Sequence, residues 1–427
     1  MLGFLKRKFS DWDFKMEWNV LGREYATAVN EMVDFGEKHG WDKWEGENPE
    51  NKRIHLGEKV FKLLKKANSD NAIDEFRKTF PPAHAPFHTM IQDKGQGIEH
   101  LHFIENDKIV FLVGTGYSGR KAHLLDGTKV TELDPTISAV GKSKRNNVFA
   151  TIANDKIVTT QGWEGPVIRS FDMRESKGLE VIEVIPFNDG QRILLNTHHG
   201  MFLISDEEEI MFHPVYDKTY VDEEMDGVWD PYIDMGNATI SNDNRYIVVG
   251  DQGADHRILN QQLQQIGQIG PQSSYPHYCI FSADDSQLIT NSCHFYNGIT
   301  IAVSTENIDG LKVEAYKESE LFKVVDEEMR VYIAATTKEL YIFGDAYGYI
   351  RAFNKKGDNV WRHFVGSTIS GLTISHDEQT VWVATYAGMI HKLSLGKGHR
   401  DDHTIGNGDH YEEFRLICWK EEPMLVW

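Results

Sequence analysis

Cysteine is nearly absent from this chain of 427 residues, which holds only Cys279, Cys293 and Cys418. The odd number and the spacing exclude a disulfide framework and a paired-cysteine zinc site, and point to reduced thiols in a cytosolic protein. No uninterrupted apolar stretch reaches the roughly 18 residues of a membrane-spanning helix. The opening residues Met1-Leu2-Gly3-Phe4-Leu5-Lys6-Arg7-Lys8 cluster charge without the apolar run of a secretory leader. A Gly-x-Ser-x-Gly elbow, a glycine-rich phosphate loop and a paired-Cys motif are all missing, which removes the local signatures of several enzyme classes. Positive charge is also short, with 45 Lys+Arg against 65 Asp+Glu and a net charge of -20. That deficit argues against nucleic acid and anionic membrane as partners. The one basic run in the second part of the chain, Gly141-Lys142-Ser143-Lys144-Arg145, reads as a solvated loop before a strand.

What the chain does have is a recurring turn followed by an apolar β-run. Asn106-Asp107 precedes Ile109-Val110, and Asn154-Asp155 precedes Ile157-Val158 in nearly the same words. The pattern returns at Asn188-Asp189, Asn242-Asp243, Asp284-Asp285, Asp326-Glu327 and Asp377-Glu378, each ahead of a run rich in Val, Ile, Leu or aromatics. An Asx residue in a turn bonds its own backbone and tolerates unusual φ, and a β-branched run suits a buried strand. Taking Asp107, Asp155, Asp189, Asp243, Asp284, Asp326 and Asp377 as anchors, the intervals are 48, 34, 54, 41, 42 and 51, with a mean of 45. A period of that size with several short strands per unit predicts a mainly β chain folded as a β-propeller. Seven anchors predict seven blades, and the unequal intervals leave six or eight open.

Residues 1–90 differ in kind. Leu21, Tyr25, Ala28, Val29, Met32 and Val33 follow a helical period, as do Leu56, Val60, Leu63, Leu64 and Ala67. A third short helix is expected around Ala72 to Phe80, stopped by Pro81-Pro82. The segment reads as a small N-terminal helical cap, its Trp12, Trp18, Trp41 and Trp44 packing onto the propeller or one another. Residues 91–427 form the propeller. The cap holds 15 Lys+Arg and 15 Asp+Glu, so the whole net charge lies in the propeller, with 30 against 50. The apolar tail, Phe414-Arg415-Leu416-Ile417-Cys418-Trp419 and then Pro423-Met424-Leu425-Val426-Trp427, is expected to complete the last blade or seal it against the cap, closing the ring.

The string Gly348-Tyr349-Ile350-Arg351-Ala352-Phe353-Asn354-Lys355-Lys356-Gly357-Asp358-Asn359-Val360-Trp361 and the turns Ser282-Ala283-Asp284-Asp285-Ser286 and Ser375-His376-Asp377-Glu378-Gln379 carry a family likeness. In them the chain resembles the WD-repeat and quinoprotein-like propellers, and the resemblance implies the architecture. Gly-His pairs do not open the blades and a single blade carries the quinoprotein string, so the resemblance implies no quinone and no cofactor is expected.

Candidate chemistry is sparse. Asp222-Glu223-Glu224-Met225-Asp226-Gly227 matches the first half of a calcium loop, but Ile233 stands where the bidentate Glu is required. Asp222, Glu223, Glu224 and Asp226, with Trp229, instead read as an acidic surface insertion and as candidates for partner binding. His198-His199 lies between two strand runs at a hairpin turn, with no third ligand at short spacing. Asp251, Asp255 and His256, with His277 and His294 one blade on, are candidates for a carboxylate-imidazole set at one rim, able to serve as general base or hold a metal. Tyr347 and Tyr386, in the similar strings Gly344-Asp345-Ala346-Tyr347-Gly348 and Ala384-Thr385-Tyr386-Ala387-Gly388, mark equivalent blade positions.

The leading functional expectation is a non-enzymatic, cytosolic propeller that binds another protein through a rim or the axial channel. Its acidity suggests a basic partner and, in the sharpest version, an immunity or antitoxin protein masking a basic toxin domain. The alternative is a metal-dependent propeller hydrolase or lactonase using Asp251, Asp255, His256 and His277. A sugar- or polymer-binding propeller is a third option, suggested by the aromatic content.

Overall fold

The computed structural model describes residues 2–215, 231–398 and 400–427. Seven small antiparallel sheets stand in a ring, and the first four strands of each follow one another in the chain, interrupted only in blade five by a short strand added to blade four. In chain order the innermost strands are Ile98–Phe103, Ile137–Lys142, Val181–Pro186, Asn237–Ile240, Tyr275–Phe281, Val331–Thr336 and Ile369–Ile374. Each blade then runs outwards through three more strands, in blade one Lys108–Val113, Lys121–Asp126 and Lys129–Glu132. The turns between first and second strands, and between third and fourth, lie on what we term the lower face. Those between second and third strands, and the connections between blades, lie on the upper face. Two blades carry a fifth strand: Lys312–Val313 pairs in parallel with Gln265–Ile269 of blade four, and Leu425–Val426 extends blade seven.

The lower-face turns show why the repeat folds this way. Ser241, Ser282 and Ser375 each donate a hydroxyl hydrogen bond to the Asp two residues on, at 2.8, 2.8 and 2.6 Å. Each hydroxyl also accepts the amide that begins the second strand, from Tyr246, Gln287 and Thr380 at 2.9 to 3.0 Å. The turn is thereby fixed before any tertiary contact forms. Five of the seven expected anchors occupy this position, and two do not. Asn154-Asp155 is the upper-face turn between the second and third strands of blade two, and Asp326 ends the outer strand of blade five. The equivalent turns of blades two and six are Ser143-Lys144-Arg145-Asn146-Asn147 and Thr337-Lys338-Glu339. Neighbouring turns are tied together by buried amides. Asn188 Nδ2 donates to Asn242 O, and Asn242 Nδ2 donates to Ser282 O and to Asp285 Oδ1, all at 2.7 Å.

Hydrophobic clusters fill each seam between blades, and the seam between blades one and seven is no exception. Ile98, Leu101 and Phe111 of blade one share a cluster with Trp382, Ala384 and Leu416 of blade seven. Ser370 Oγ donates to Ile98 O at 2.6 Å, and the Phe103 amide donates to Thr373 Oγ1 at 3.1 Å. The ring therefore closes through side-chain packing and hydrogen bonds, with no strand shared across the seam. The tail lies at the periphery: Tyr411–Ile417 is the fourth strand of blade seven and Leu425–Val426 the fifth.

Among the described residues four α-helices wrap this outer edge: α1 (Leu2–His39), α2 (Gly57–Ser69), α3 (Ile73–Thr79) and α4 (His88–Lys94). On α1 the buried positions Phe14, Trp18, Ala26, Val29 and Val33 recur at helical spacing and form one stripe. Trp18, Phe61, Phe76, Phe80 and Phe87 of the cap share a cluster with Met389, Ile417, Trp419 and Trp427 of blade seven. Arg362, 1% exposed on the outer strand of blade six, is held by Asp34 and Glu37 of α1. Trp44 packs on Phe35, whereas Trp41 is exposed and donates its indole N–H to Glu328 at 2.8 Å. Among the described residues no helix is long and apolar enough to cross a membrane.

Candidate functional site

Seven aromatic side chains among the described residues are largely exposed: Trp41, Tyr232, Phe295, Tyr296, Tyr316, Tyr347 and Tyr386. Tyr232, Phe295, Tyr296, Tyr347 and Tyr386 sit in upper-face loops. Tyr316 arrives from the long 305–321 connection of blade five and donates its hydroxyl to Ser274 O, at 3.2 Å, on the same face. Trp41 reaches that face through Glu328. Exposed aromatics spread at random would need no explanation, whereas these gather on one face of the ring.

The centre of the patch is Arg330, in the connection between blades five and six. Its Nε and Nη2 reach His277 Nε2 at 3.1 and 3.0 Å, and its Nη1 donates to Phe295 O at 2.6 Å. The guanidinium lies over the Tyr332 ring, 4.9 Å from the centroid. Tyr332 meets His277 and Tyr386 edge-on at 5.0 and 6.1 Å, and Tyr296 packs against Tyr347 at 5.9 Å. Residues of blades five and six are thus locked to one cation. Tyr347 is fixed further by donating its hydroxyl to Asn297 Oδ1 at 2.7 Å.

Phe295 occupies a costly position. It is 72% exposed at the tip of a two-residue hairpin between Gln287–His294 and Asn297–Ser304, with φ +51°. Only the first of the two turn residues has positive φ, a place that favours glycine. A bulky aromatic held there costs on the order of 1–2 kcal/mol relative to an unstrained residue, and water gains nothing from its exposure.

His277 enters this site through its hydrogen bonds. Its Nδ1–H donates to Val331 O at 2.6 Å, leaving Nε2 as the acceptor for Arg330. Burial and the Arg330 charge lower its pKa to about 4, so the ring is neutral near pH 7. His256 is 1% exposed and its Nε2 bonds Asn237 Oδ1 at 3.0 Å; burial lowers its pKa to about 3. Asp251 pairs with His213 Nε2 at 2.6 Å. Burial raises the Asp251 carboxyl, but the His213 hydrogen bond and the Gly253 and Ala254 amides bring it net below its ordinary value. Asp255 contacts Gln268 Nε2 at 3.4 Å and is raised by burial against the opposing Lys312 charge. His294 Nδ1 meets Ser274 Oγ at 2.9 Å. Each proposed catalytic group has its own separate partner, and among the described residues no three His, Cys, Asp or Glu side chains are grouped to hold a metal. His198 and His199 form a two-residue hairpin turn and pack around Tyr232 at 6.1 and 5.5 Å. Asp222, Glu223, Glu224, Asp226 and Trp229 lie outside the described residues.

Sequence reading found Tyr347 and Tyr386 as equivalent positions and missed Phe295, Tyr296, Arg330 and Tyr332. One signal was available, because Phe295-Tyr296 fills a tight turn where Gly or Asn is the favoured chemistry. No protein-family model matches the chain, and no curated protein matches it in sequence. The likeness to propeller superfamilies therefore extends to the seven-bladed architecture.

Proposed function

We propose that this chain is a non-enzymatic protein-binding propeller that docks its partner on the aromatic upper face. The observation that carries the reading is the gathering of seven exposed aromatics at that face, one of them in a conformation that disfavours it. Aromatics and an Arg held on a rigid platform lose little side-chain freedom on binding, which is how hot spots gain affinity. The propeller's 50 acidic against 30 basic residues favour a basic partner through electrostatic steering. Masking of a basic toxin domain by an immunity-type protein is the version that uses this charge most fully. The three cysteines are buried and unpaired, which suits a reducing cytosol.

The test is affinity capture from native lysate at low and high salt, with wild type beside a Phe295→Gly, Tyr347→Ser double variant. The reading expects one stoichiometric basic protein, retained by wild type at low salt, weakened by high salt and absent from the variant. Equal capture by both forms would overturn the assignment of the face, and salt-insensitive capture would overturn the basic partner.

A further inference from the structure

A cavity of about 940 Å³ lies elsewhere, between the helical cap and the outer ends of blades six and seven. Residues 50–55 and 81–88 of the cap form one wall. The other is formed by residues 363–366 and by the 401–405 stretch of the blade-seven connection, which the Phe364 amide and Asn30 of α1 clamp in place.

This wall carries polar groups that lack partners. Arg53 is only 4% exposed, and its Nε and its own amide share a single acceptor, Asn51 Oδ1, at 3.1 Å. Its Nη1 has no acceptor, and among the described residues it forms no ion pair. The guanidinium lies over the ring of Trp18, 4.8 Å from its centroid, which offsets part of the burial. Buried charges in proteins are normally paired, and here the counter-charge is missing. Burial accordingly lowers the Arg53 pKa to about 10.

Five histidines line the cavity: His55, His84, His88, His363 and His403. His403 Nδ1 and His363 Nδ1 are buried without hydrogen-bond partners, and His363 is 4% exposed. His84 packs against Gly366, where an added Cβ would fall 2.2 Å from its ring. Gly22 of α1 serves Arg53 and His403 in the same way, at 2.5 and 2.7 Å. Glu412 is already engaged, because it is held by Arg415 Nε and Nη2 at 3.0 and 2.8 Å, by His391 at 2.8 Å and by Arg77. Asp401 accepts from the His403 amide at 2.8 Å. The Arg53 guanidinium, with no carboxylate partner among the described residues, and the imidazoles of His84, His363 and His403 thus line a cavity of whose three carboxylates, Glu50, Asp401 and Glu412, the last two are already engaged.

We propose that this cavity binds a small organic anion, with a carboxylate or phosphate head received by Arg53 and the histidines. The volume, far larger than an inorganic ion needs, and the apolar wall of Pro82, Phe364 and Ile405 call for an apolar body behind the head. The site stands apart from the aromatic face, so either assignment can fail without the other.

Isothermal titration of the full chain with phenyl phosphate, benzoate and neutral benzamide tests it. At least one anion binds one-to-one and benzamide does not, and the preferred anion identifies the head group. Arg53→Gln weakens binding about ten- to a hundred-fold, the scale of a lost charge-assisted hydrogen bond. No saturable binding of either anion, equal binding of benzamide, or undiminished binding by Arg53→Gln overturns the proposal. If Arg53→Gln does not fold, His84→Leu takes its place, since no hydrogen bond is lost there: weakened anion binding sustains the proposal and unchanged binding overturns it.

Discussion

Replacing Trp427 with Ala should uncouple the cap from the propeller. The side chain is 1% exposed, and its indole N–H donates to Phe80 O at 2.9 Å. It packs edge-on against Phe87 at 5.3 Å and near Phe76 and Trp18 at 5.9 and 6.4 Å, with the Arg415 guanidinium 5.8 Å from its ring. Truncating a buried Trp to Ala costs about 3–5 kcal/mol in lost transfer energy and cavity. The Phe80 carbonyl left without its donor adds about 1 kcal/mol, and the two terms overlap because both depend on how far the cap relaxes. A loss of about 4 kcal/mol is a large share of the 5–15 kcal/mol typical of folded proteins. Urea denaturation followed by circular dichroism gives the value. Trp427→Phe keeps most of the packing and should lose only about 1–2 kcal/mol, the indole hydrogen bond and a fraction of the buried area. A loss below about 1 kcal/mol for Trp427→Ala would refute the claim that this cluster joins cap to ring.

Three further outcomes follow from the same geometry. Asn242→Ala removes the amide that bonds Ser282 O and Asp285 Oδ1, and should cost about 2 kcal/mol in chemical denaturation; a cost near zero would show that the lower-face belt contributes nothing. Phe295→Gly relieves the positive φ, so its stability should stay within about 1 kcal/mol of wild type, and a larger loss would mark the residue as structural. Acid should destabilise the fold, because the buried His256 and His363, both lowered by burial to about 3, stay neutral when folded while the unfolded chain takes up protons below about pH 6.5. Each costs about 1.4 kcal/mol per pH unit through that window. Glu183 and Asp345, raised by burial to about 7 and about 6, work in the opposite sense, losing stability as pH rises. With His84, His102, His277 and His410 also lowered, the histidines prevail and Tm should fall below pH 6; a flat Tm down to pH 4.5 would contradict this.

The architecture was legible because the turns are local chemistry. Ser282-Ala283-Asp284 and Ser375-His376-Asp377 specify a hairpin whatever surrounds them, so a ring of repeated hairpin units could be read from the chain, although the seven anchors reach the blade number with two in blade five and none in blade six. The same chemistry misled at Asp155 and Asp326, since an Asx turn serves any tight reversal and does not say which strands it joins. Blade two uses Asn146-Asn147, both at positive φ, and blade six uses the Thr337 hydroxyl, which bonds the Glu339 and Leu340 amides. Helical periods located the cap, and Trp18 packs against the propeller as its tryptophans suggested, but the Arg362 pairing with Asp34 and Glu37 was not legible, because partners hundreds of residues apart leave no spacing to read. The upper-face site was hidden for that reason as well. Arg330 gathers His277, Phe295 and Tyr332 from two blades and the connection between them, and only the aromatic pair in a glycine-type turn hinted at it.

The account stands most directly on the upper face. Once a partner has been captured and purified, its Kd for wild type is compared with those of Phe295→Gly and Tyr347→Ser on that face and of Gln262→Ser on the lower face. The account predicts binding at least about thirty-fold weaker for the upper-face variants, the loss expected of hot-spot residues, and unchanged binding for Gln262→Ser. Wild-type affinity in both upper-face variants would contradict it.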